Sequence, residues 1–255
     1  MYADFDWGSA PLSSPAVPVV AGVAYLTVVA LLPRWVPAGG FKGLDGVLVA
    51  HNAILSAWSF TMFAGCVWEM LRRMQREGNA EWIFCEEPGD FKGSGPLYFW
   101  TYIFYVSKFY EMGDTVLAIL RGSSPPHFGL HVYHHALVPL VVRNWLEYRM
   151  TLQFPGLMFN TFVHIIMYAY YAMKVLKLPT PWKRWVTRLQ IIQFVTSILL
   201  LCVTLQSLKG DYFGNTCAGM SSMWVNVAFN VTLLQQFCNV LQTPNRRPTN
   251  GKKAE

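Results

Sequence analysis

The chain has 255 residues, of which 53% are apolar and only 13% are charged, and its net charge is +6. A soluble domain carries roughly 25% charged residues, so there are too few here to cover a water-facing surface. The positive charge does not indicate nucleic-acid binding, because no basic run alternates with aromatic residues. The composition predicts an integral membrane protein, with lysines and arginines in loops beside anionic headgroups.

Seven segments approach the roughly 20 mainly apolar residues that a membrane span needs. The first, sixth and seventh are predicted on hydropathy alone, whereas the third, fourth and fifth also contain polar residues. The segments are Pro15–Leu32, Leu44–Met70, Pro96–Leu120, His127–Trp145, Leu152–Val175, Trp185–Gln206 and Met223–Leu241. Short loops and the lack of internal repeats predict a single all-α domain over residues 1–255, with about seven transmembrane helices in a bundle.

The distribution of Lys and Arg predicts the orientation of this domain. No Lys or Arg precedes Arg34, and the N-terminus is acidic. With residues 1–14 on the lumenal side and residues 242–255 in the cytosol, twelve basic residues are cytosolic and seven are lumenal. This bias follows the positive-inside rule. The Arg72–Arg76 cluster argues against it, because it falls on the lumenal side.

The C-terminal residues suggest an organelle. Lys252 and Lys253 lie at the fourth and third positions from the end. They resemble a di-lysine retrieval signal of endoplasmic reticulum membrane proteins, which is an address read by a receptor. The alternative is a charged, solvated tail. We expect a multi-pass protein of the endoplasmic reticulum membrane.

Two of the five cysteines are predicted to form a disulfide. Cys85 and Cys217 follow the second and sixth spans, so both fall in loops on the oxidising, lumenal side. Their Cα atoms should then lie about 4.4–6.8 Å apart. The alternative is two unrelated free thiols.

Ionisable residues within spans are candidates for function, because burying them in hydrocarbon is costly. In the third span, Lys108 and Glu111 are spaced to pair on one helical face, and that face also carries Thr115; Asp114 is adjacent. A structural ion pair is the alternative reading. In the fourth span, the imidazoles occupy adjoining stripes of one or two turns: His131, His134 and His135.

Two further spans add polar groups. In the fifth, steps of four, four and three residues form one continuous face that consists of Asn160, His164, Tyr168 and Tyr171. The sixth begins with Thr187, Gln190 and Gln193, for which hydrogen bonding between helices is the alternative. Imidazoles, amides and a lysine that converge in a bundle are sufficient for acid–base or nucleophilic catalysis.

Four segments together resemble the ELO family of very-long-chain fatty acid elongases, the condensing enzymes of the endoplasmic reticulum. They occur in the family's order, from Lys108 to Gln193. The segments are Lys108-Phe-Tyr-Glu111-Met-Gly-Asp114-Thr115, His131-Val-Tyr-His134-His135, Asn160-Thr-Phe-Val-His164-Ile-Ile-Met167-Tyr168-Ala-Tyr170-Tyr171 and Thr187-Arg-Leu-Gln190-Ile-Ile-Gln193.

The resemblance implies a condensation of acyl-CoA with malonyl-CoA, which releases CO2 and CoA and yields a 3-oxoacyl-CoA two carbons longer. Since no cysteine lies near the boxes, we expect His134 to be the nucleophile, with His164 close by. Other residues would polarise the thioester carbonyls and hold the enolate: His131, His135, Asn160, Gln190 and Gln193. Lys108 and Glu111 would tune and brace the site, with Asp114, Thr115, Tyr168 and Tyr171 in support.

The resemblance also implies an enclosed acyl tunnel within the bundle, which would protect a reactive acyl-imidazole from water. Cytosolic Lys and Arg side chains would meet the CoA phosphates. The expected partners are the two CoA esters and membrane lipid. Other enzymes of the elongation cycle, or a second copy of the chain, are further candidates. We expect no cofactor and no metal.

Two other functions remain open. A membrane di-iron desaturase or hydroxylase also uses such histidine boxes, but its two irons need about eight histidines. This chain has six: His51, His127, His131, His134, His135 and His164. A single metal on His131, His134, His135 and His164 is the remaining variant of that reading. A seven-helix receptor or transporter accounts for the spans but not for the histidine box.

Overall fold

The computed structural model describes residues 2–89, 93–123, 128–208, 210, 212 and 216–242. The predictions for His127 and for Lys252–Lys253 lie outside these residues. Within them the chain is helical, and the only β-type pairing is an isolated bridge between Asp6 and Ser94.

The helices follow the predicted spans. Within the described residues they are α1 (Ala16–Leu31), α2 (Asp45–Glu77), α3 (Pro96–Glu111), α4 (Gly113–Leu120), α5 (Phe128–Glu147), α6 (Gln153–Val175), α7 (Lys183–Ser207) and α8 (Met220–Gln242). The predicted third span is divided into α3 and α4, which meet at Met112. α2 continues beyond the predicted Met70 and ends where Gly78 adopts φ +69°, a left-handed conformation that glycine accepts without strain.

Three helical segments of the described chain are long and apolar enough to cross a membrane: Ala16–Arg34, Asp45–Glu77 and Lys183–Ser207. Large apolar side chains on these helices, such as Val20, Phe60 and Leu199, are exposed. In water such surface would be unfavourable, whereas in lipid it is matched by its solvent. The chain is therefore a membrane protein.

α8, the last helix of the part that the structure describes, is not among the helices that are long and apolar enough to span a membrane, although its hydropathy predicts a span. Within the described residues, α8 carries Asn226, Asn230, Gln235 and Gln236, which lower its mean hydropathy. Polar box residues have the same effect in α5 and α6, whereas α3 and α4, with 16 and 8 residues, are each shorter than a membrane span. A count of seven spans therefore stays a prediction.

Each helix of the bundle packs against particular neighbours. α2 lies along α6, and α3 and α1 both pack against α5. α7 contacts α6 and α8, and α8 returns to α5. The helices that carry the predicted boxes, α3 to α7, are thus neighbours in the bundle.

A disulfide joins two loops at one end of the bundle. Cys85 and Cys217 are bonded, with their Cα atoms 5.0 Å apart, which lies within the distance that the predicted pairing required. Next to it, the Ala218 N–H donates to the Glu86 carbonyl at 2.8 Å. The Glu86 carboxylate is buried and accepts two hydrogen bonds from Arg73, at 2.7 and 2.9 Å. We call this arrangement of residues 83–88 and 216–219 the disulfide cap.

The N-terminal segment lies at the same end of the bundle as the disulfide cap. The backbone N–H of Trp7 donates to Gly93 at 3.0 Å, and its indole N–H donates to Glu147 at 2.9 Å. Gly93 shortly precedes α3, and Glu147 ends α5. The N-terminus and both bonded cysteines therefore share one side, as the predicted alternation of spans requires.

Candidate active site

A largely apolar cleft lies between α5, α6, α7 and α8. Its empty volume is about 980 Å³, part of which is open to the outside. Apolar side chains form most of the wall, among them Val138, Val141, Val142, Phe194, Leu201 and Met223. Three of the predicted catalytic residues also line it: His134, Asn160 and Gln193. They come from α5, α6 and α7, so the fold gathers one residue from each of three boxes.

The three histidines of α5 face different surroundings. His134 lines the cleft and stacks on Phe229, with the ring centroids 6.0 Å apart. His135 is buried, and its Nε2 lies 3.9 Å from a carboxylate oxygen of Asp114. His131 stacks on His135 at 6.2 Å. The helical offsets of three and four residues divide the box, so that only His134 of the three lines the cleft.

Behind the cleft, Lys108 and Glu111 form the ion pair that their spacing predicted. The Lys108 ammonium lies 2.7 Å from Glu111 Oε1, and both side chains are only 1% exposed. Ser107 donates to the same oxygen at 3.1 Å, and His164 Nδ1 lies 3.7 Å from it. A pair buried this deeply depends on its internal partners, because water does not reach it.

Asn160 connects this ion pair to the cleft. Its Oδ1 accepts a hydrogen bond from Lys108 Nζ at 3.3 Å, and its side chain belongs to the cleft wall. Lys108 therefore contacts a residue of the cleft wall and is not itself one of the residues that line the cleft. Lys108 also lies 3.9 Å above the ring of Phe104, which gives the ammonium a further favourable contact.

A second polar network is centred on Asp114. His51 Nε2 lies 2.6 Å from its Oδ1, and the Tyr168 hydroxyl donates to its Oδ2 at 2.8 Å. The neighbouring Thr115 hydroxyl accepts from Tyr25 at 2.8 Å. Sequence reasoning missed His51 and Tyr25 as parts of the site. A histidine within the apolar second span was the signal that could have identified His51.

The remaining predicted residues lie away from the cleft lining. The Gln190 amide donates to the sulfur of Met167 at 3.4 Å. Tyr171 packs against Tyr168 and Tyr170, with ring centroids 6.4 and 5.4 Å apart. The Gln190 contact joins α7 to α6, which is the alternative considered above for the glutamines. The catalytic role of Gln190 and the supporting role of Tyr171 stay predictions.

The described residues contain no group of three or more His, Cys, Asp or Glu side chains that could hold a metal ion. The single-metal reading placed His131, His134, His135 and His164 around one ion. The structure directs His134 to the cleft, His135 towards Asp114 and His164 towards Glu111. The geometry therefore gives that reading no support.

Comparison with known proteins assigns a family. The family model described as ELO, GNS1/SUR4 family, matches residues 10–252. Fatty acid elongase A of Dictyostelium discoideum is 32% identical over 236 residues, which cover 91% of this chain and 83% of that protein.

Two further relatives agree. Fatty acid elongase sre1 of the same organism is 32% identical over 202 residues, which are 78% of this chain and 74% of that protein. Very long chain fatty acid elongase 5 of Bos taurus is 27% identical over 245 residues, covering 92% and 76%. On this match over nearly its whole length, the chain belongs to the ELO family, GNS1/SUR4.

Proposed function

We propose that the chain is the condensing enzyme of fatty acid elongation, an acyltransferase that joins a long-chain acyl-CoA to malonyl-CoA. The observation that carries this proposal is the position of His134 in an apolar cleft, together with the amides of Asn160 and Gln193. A nucleophile with amide donors in an apolar pocket is an arrangement that suits acyl transfer.

The shape of the cleft suits an acyl chain. From His134, its wall continues along α5 through Val138, Val141 and Val142 to Trp145. The step of eleven residues from His134 to Trp145 spans roughly 16 Å of helix, which accommodates about a dozen carbons of an extended acyl chain. With the thioester at His134, the chain would lie on these apolar side chains. An acyl chain in place would complete the enclosed tunnel expected from the sequence.

In the first step, an imidazole nitrogen of His134 attacks the thioester carbonyl of acyl-CoA. The C–S bond breaks, CoA leaves as the thiol with the imidazole proton, and an acyl-imidazole remains. The side-chain amides of Asn160 and Gln193, which line the same cleft, would donate to the carbonyl oxygen as negative charge develops. The apolar walls keep water from the intermediate.

In the second step, malonyl-CoA loses CO2, and the electron pair of the broken C–C bond forms the enolate of its thioester. The enolate carbon attacks the acyl carbon, and the C–N bond to His134 breaks. The product is a 3-oxoacyl-CoA two carbons longer, and the imidazolate that is released takes up a proton from solvent, in place of the one that left with the CoA thiol. The Lys108 ammonium, one hydrogen bond behind Asn160, favours negative charge on the cleft side of that amide.

The rival scheme keeps both CoA esters bound together, with His134 only a general base or hydrogen-bond donor. The two schemes predict different results when the enzyme is given acyl-CoA without malonyl-CoA. We expect the purified enzyme to release one equivalent of CoA and to gain one acyl mass on the peptide that contains His134. Ping-pong kinetics should accompany this result. If no CoA appears without malonyl-CoA and the kinetics require a ternary complex, the covalent step is wrong and the condensation is retained.

The cellular setting is also part of the proposal. We place the protein in the endoplasmic reticulum membrane, with residues 1–14 in the lumen and residues 242–255 in the cytosol. CoA would meet the cytosolic lysines and arginines, and no cofactor or metal would be needed. Other enzymes of the elongation cycle would take up the 3-oxoacyl product. Turnover of labelled malonyl-CoA by the purified protein tests whether the chain is an enzyme and not a receptor or transporter.

A further inference from the structure

A buried histidine outside the four boxes contacts the break between α3 and α4. His51 on α2 is 7% exposed, and its ring stacks on Tyr110 with the centroids 4.9 Å apart. A Cβ atom added to Gly113 would lie 3.2 Å from Cε1 of the same ring. The imidazole of His51 is therefore held between residues that flank the break at Met112.

The polar edge of this ring is directed at Asp114. Nε2 lies 2.6 Å from Oδ1, and because a carboxylate oxygen accepts, Nε2 carries the hydrogen. The other oxygen, Oδ2, accepts from Tyr168 on α6 at 2.8 Å. The first turn of α4 is thus tied to α2 on one side and to α6 on the other.

The residues just before the break belong to the site. Lys108 and Glu111 occupy the last turn of α3, and Asp114 follows Glu111 by three residues. A helix that is broken between them can rotate about the break unless something fixes both parts. The contacts of Asp114 fix the second part, and so constrain how the last turn of α3 presents Lys108 to Asn160.

We propose that His51 is a positioning residue for the condensation, a role that rests on the proposed function. By anchoring Asp114, His51 fixes the turn of α3 from which Lys108 holds Asn160 at the cleft. His51 is absent from the residues that line the cleft within the described chain. It therefore acts on the chemical step and leaves acyl-CoA binding nearly unchanged.

The test compares purified full-length variants with acyl-CoA and malonyl-CoA as substrates. His51→Ala should lower kcat about tenfold and change KM for acyl-CoA less than about twofold. His51→Gln places an amide N–H near the position of Nε2, so its kcat should stay within about threefold of the original. Adding His51→Ala to Asp114→Asn should slow the enzyme no more than about twofold further, because the two residues act as one unit.

Met62→Ala is the matched control for a merely structural effect. Met62 lies three turns further along α2, is 1% exposed and packs in the main core, so its truncation loosens α2 without touching this network. Its kcat per folded enzyme should be unchanged even where its melting temperature falls as much as that of His51→Ala.

The proposal is overturned if His51→Gln is as slow as His51→Ala, or if Met62→Ala loses kcat to the same extent. The proposal would also be overturned if the double variant loses kcat by the product of the two factors that His51→Ala and Asp114→Asn cause separately. An original enzyme that makes no 3-oxoacyl product would instead remove the proposed function, and the positioning role with it. The activity of the unsubstituted enzyme therefore distinguishes failure of the proposed function from failure of the positioning role.

Discussion

At the level of single residues, His134 differs from its neighbours in the box by its access to the cleft. We predict that His134→Ala abolishes condensation, with a fall in rate of at least about a thousandfold, because the nucleophile is lost. The variant should insert and fold, since the side chain is only partly buried. Formation of 3-oxoacyl product from labelled malonyl-CoA measures the effect.

Tyr133→Phe is the control for that prediction. Tyr133 is the preceding residue, and its hydroxyl lies 2.8 Å from Thr232 on α8. Its loss removes one contact between helices and leaves the imidazole in place, so near-normal turnover is expected. Near-normal turnover by His134→Ala itself would reject the catalytic role.

The buried ion pair behind the cleft makes a second prediction at the residue scale. Glu111→Leu leaves the Lys108 ammonium, 1% exposed, without its carboxylate, which should cost about 3–5 kcal/mol of stability. The double variant Lys108→Met with Glu111→Leu should recover most of that loss, because no buried charge is left unpaired. Thermal unfolding in detergent measures both.

Activity distinguishes the two roles of this pair. The double variant should remain slow despite its stability, because Asn160 has lost its lysine donor. Equal stability of the single and double variants would show that the ammonium of the single variant reaches water or another partner.

At the level of helices and loops, the disulfide cap fixes the connections that precede α3 and α8. The bond closes a sequence separation of 132 residues. Replacement of Cys85 and Cys217 by Ser should cost about 2–5 kcal/mol of stability, because a long loop is released in the unfolded chain. Thermal unfolding without reductant provides the measurement, and peptide mass mapping should find the two residues joined.

Cys202→Ser is the matched control for the cap. Cys202 is a free, exposed thiol on α7, so its replacement should leave the melting temperature unchanged. The opposite outcome would be equal melting temperatures for the double Ser variant and the original protein. The cap would then be held by its hydrogen bonds, such as those of Glu86 with Arg73 and Ala218.

At the level of the whole molecule, the orientation in the membrane gives a prediction that glycosylation can test. We predict that a glycosylation acceptor placed before Pro15 is modified and that one placed after Leu241 is not, because the proposed orientation puts only the N-terminal side in the lumen. The natural triplet Asn230-Val-Thr232 lies within α8 and should stay unmodified. The reverse pattern would invert the assignment.

The arginine cluster that argued against this orientation has a place in the folded protein. Arg73 binds the buried carboxylate of Glu86, and Arg72 lies 3.4 Å from Glu69. Arg73 holds the end of α2 against the disulfide cap, and Arg72 pairs with a residue of its own helix, so both arginines have structural partners at this end of the bundle.

The sequence alone was sufficient for features that depend on local pattern. Hydropathy and helical periodicity predicted a helical membrane protein, and the helix bounds follow the predicted spans because turns and caps act over a few residues. The pairing of Lys108 with Glu111 was predictable because residues three apart share a helical face. The disulfide between Cys85 and Cys217 was predictable because alternating spans place both of their loops on one side of the membrane.

Only the tertiary structure decided contacts that depend on how each helix is rotated against its neighbours. His51 meets Asp114 across 63 residues, and Lys108 meets Asn160 across 52. No local pattern predicts such pairs, because a few degrees of rotation decide which side chains meet. The same rotation directs His134 to the cleft and His135 to Asp114, although the two are adjacent in the chain.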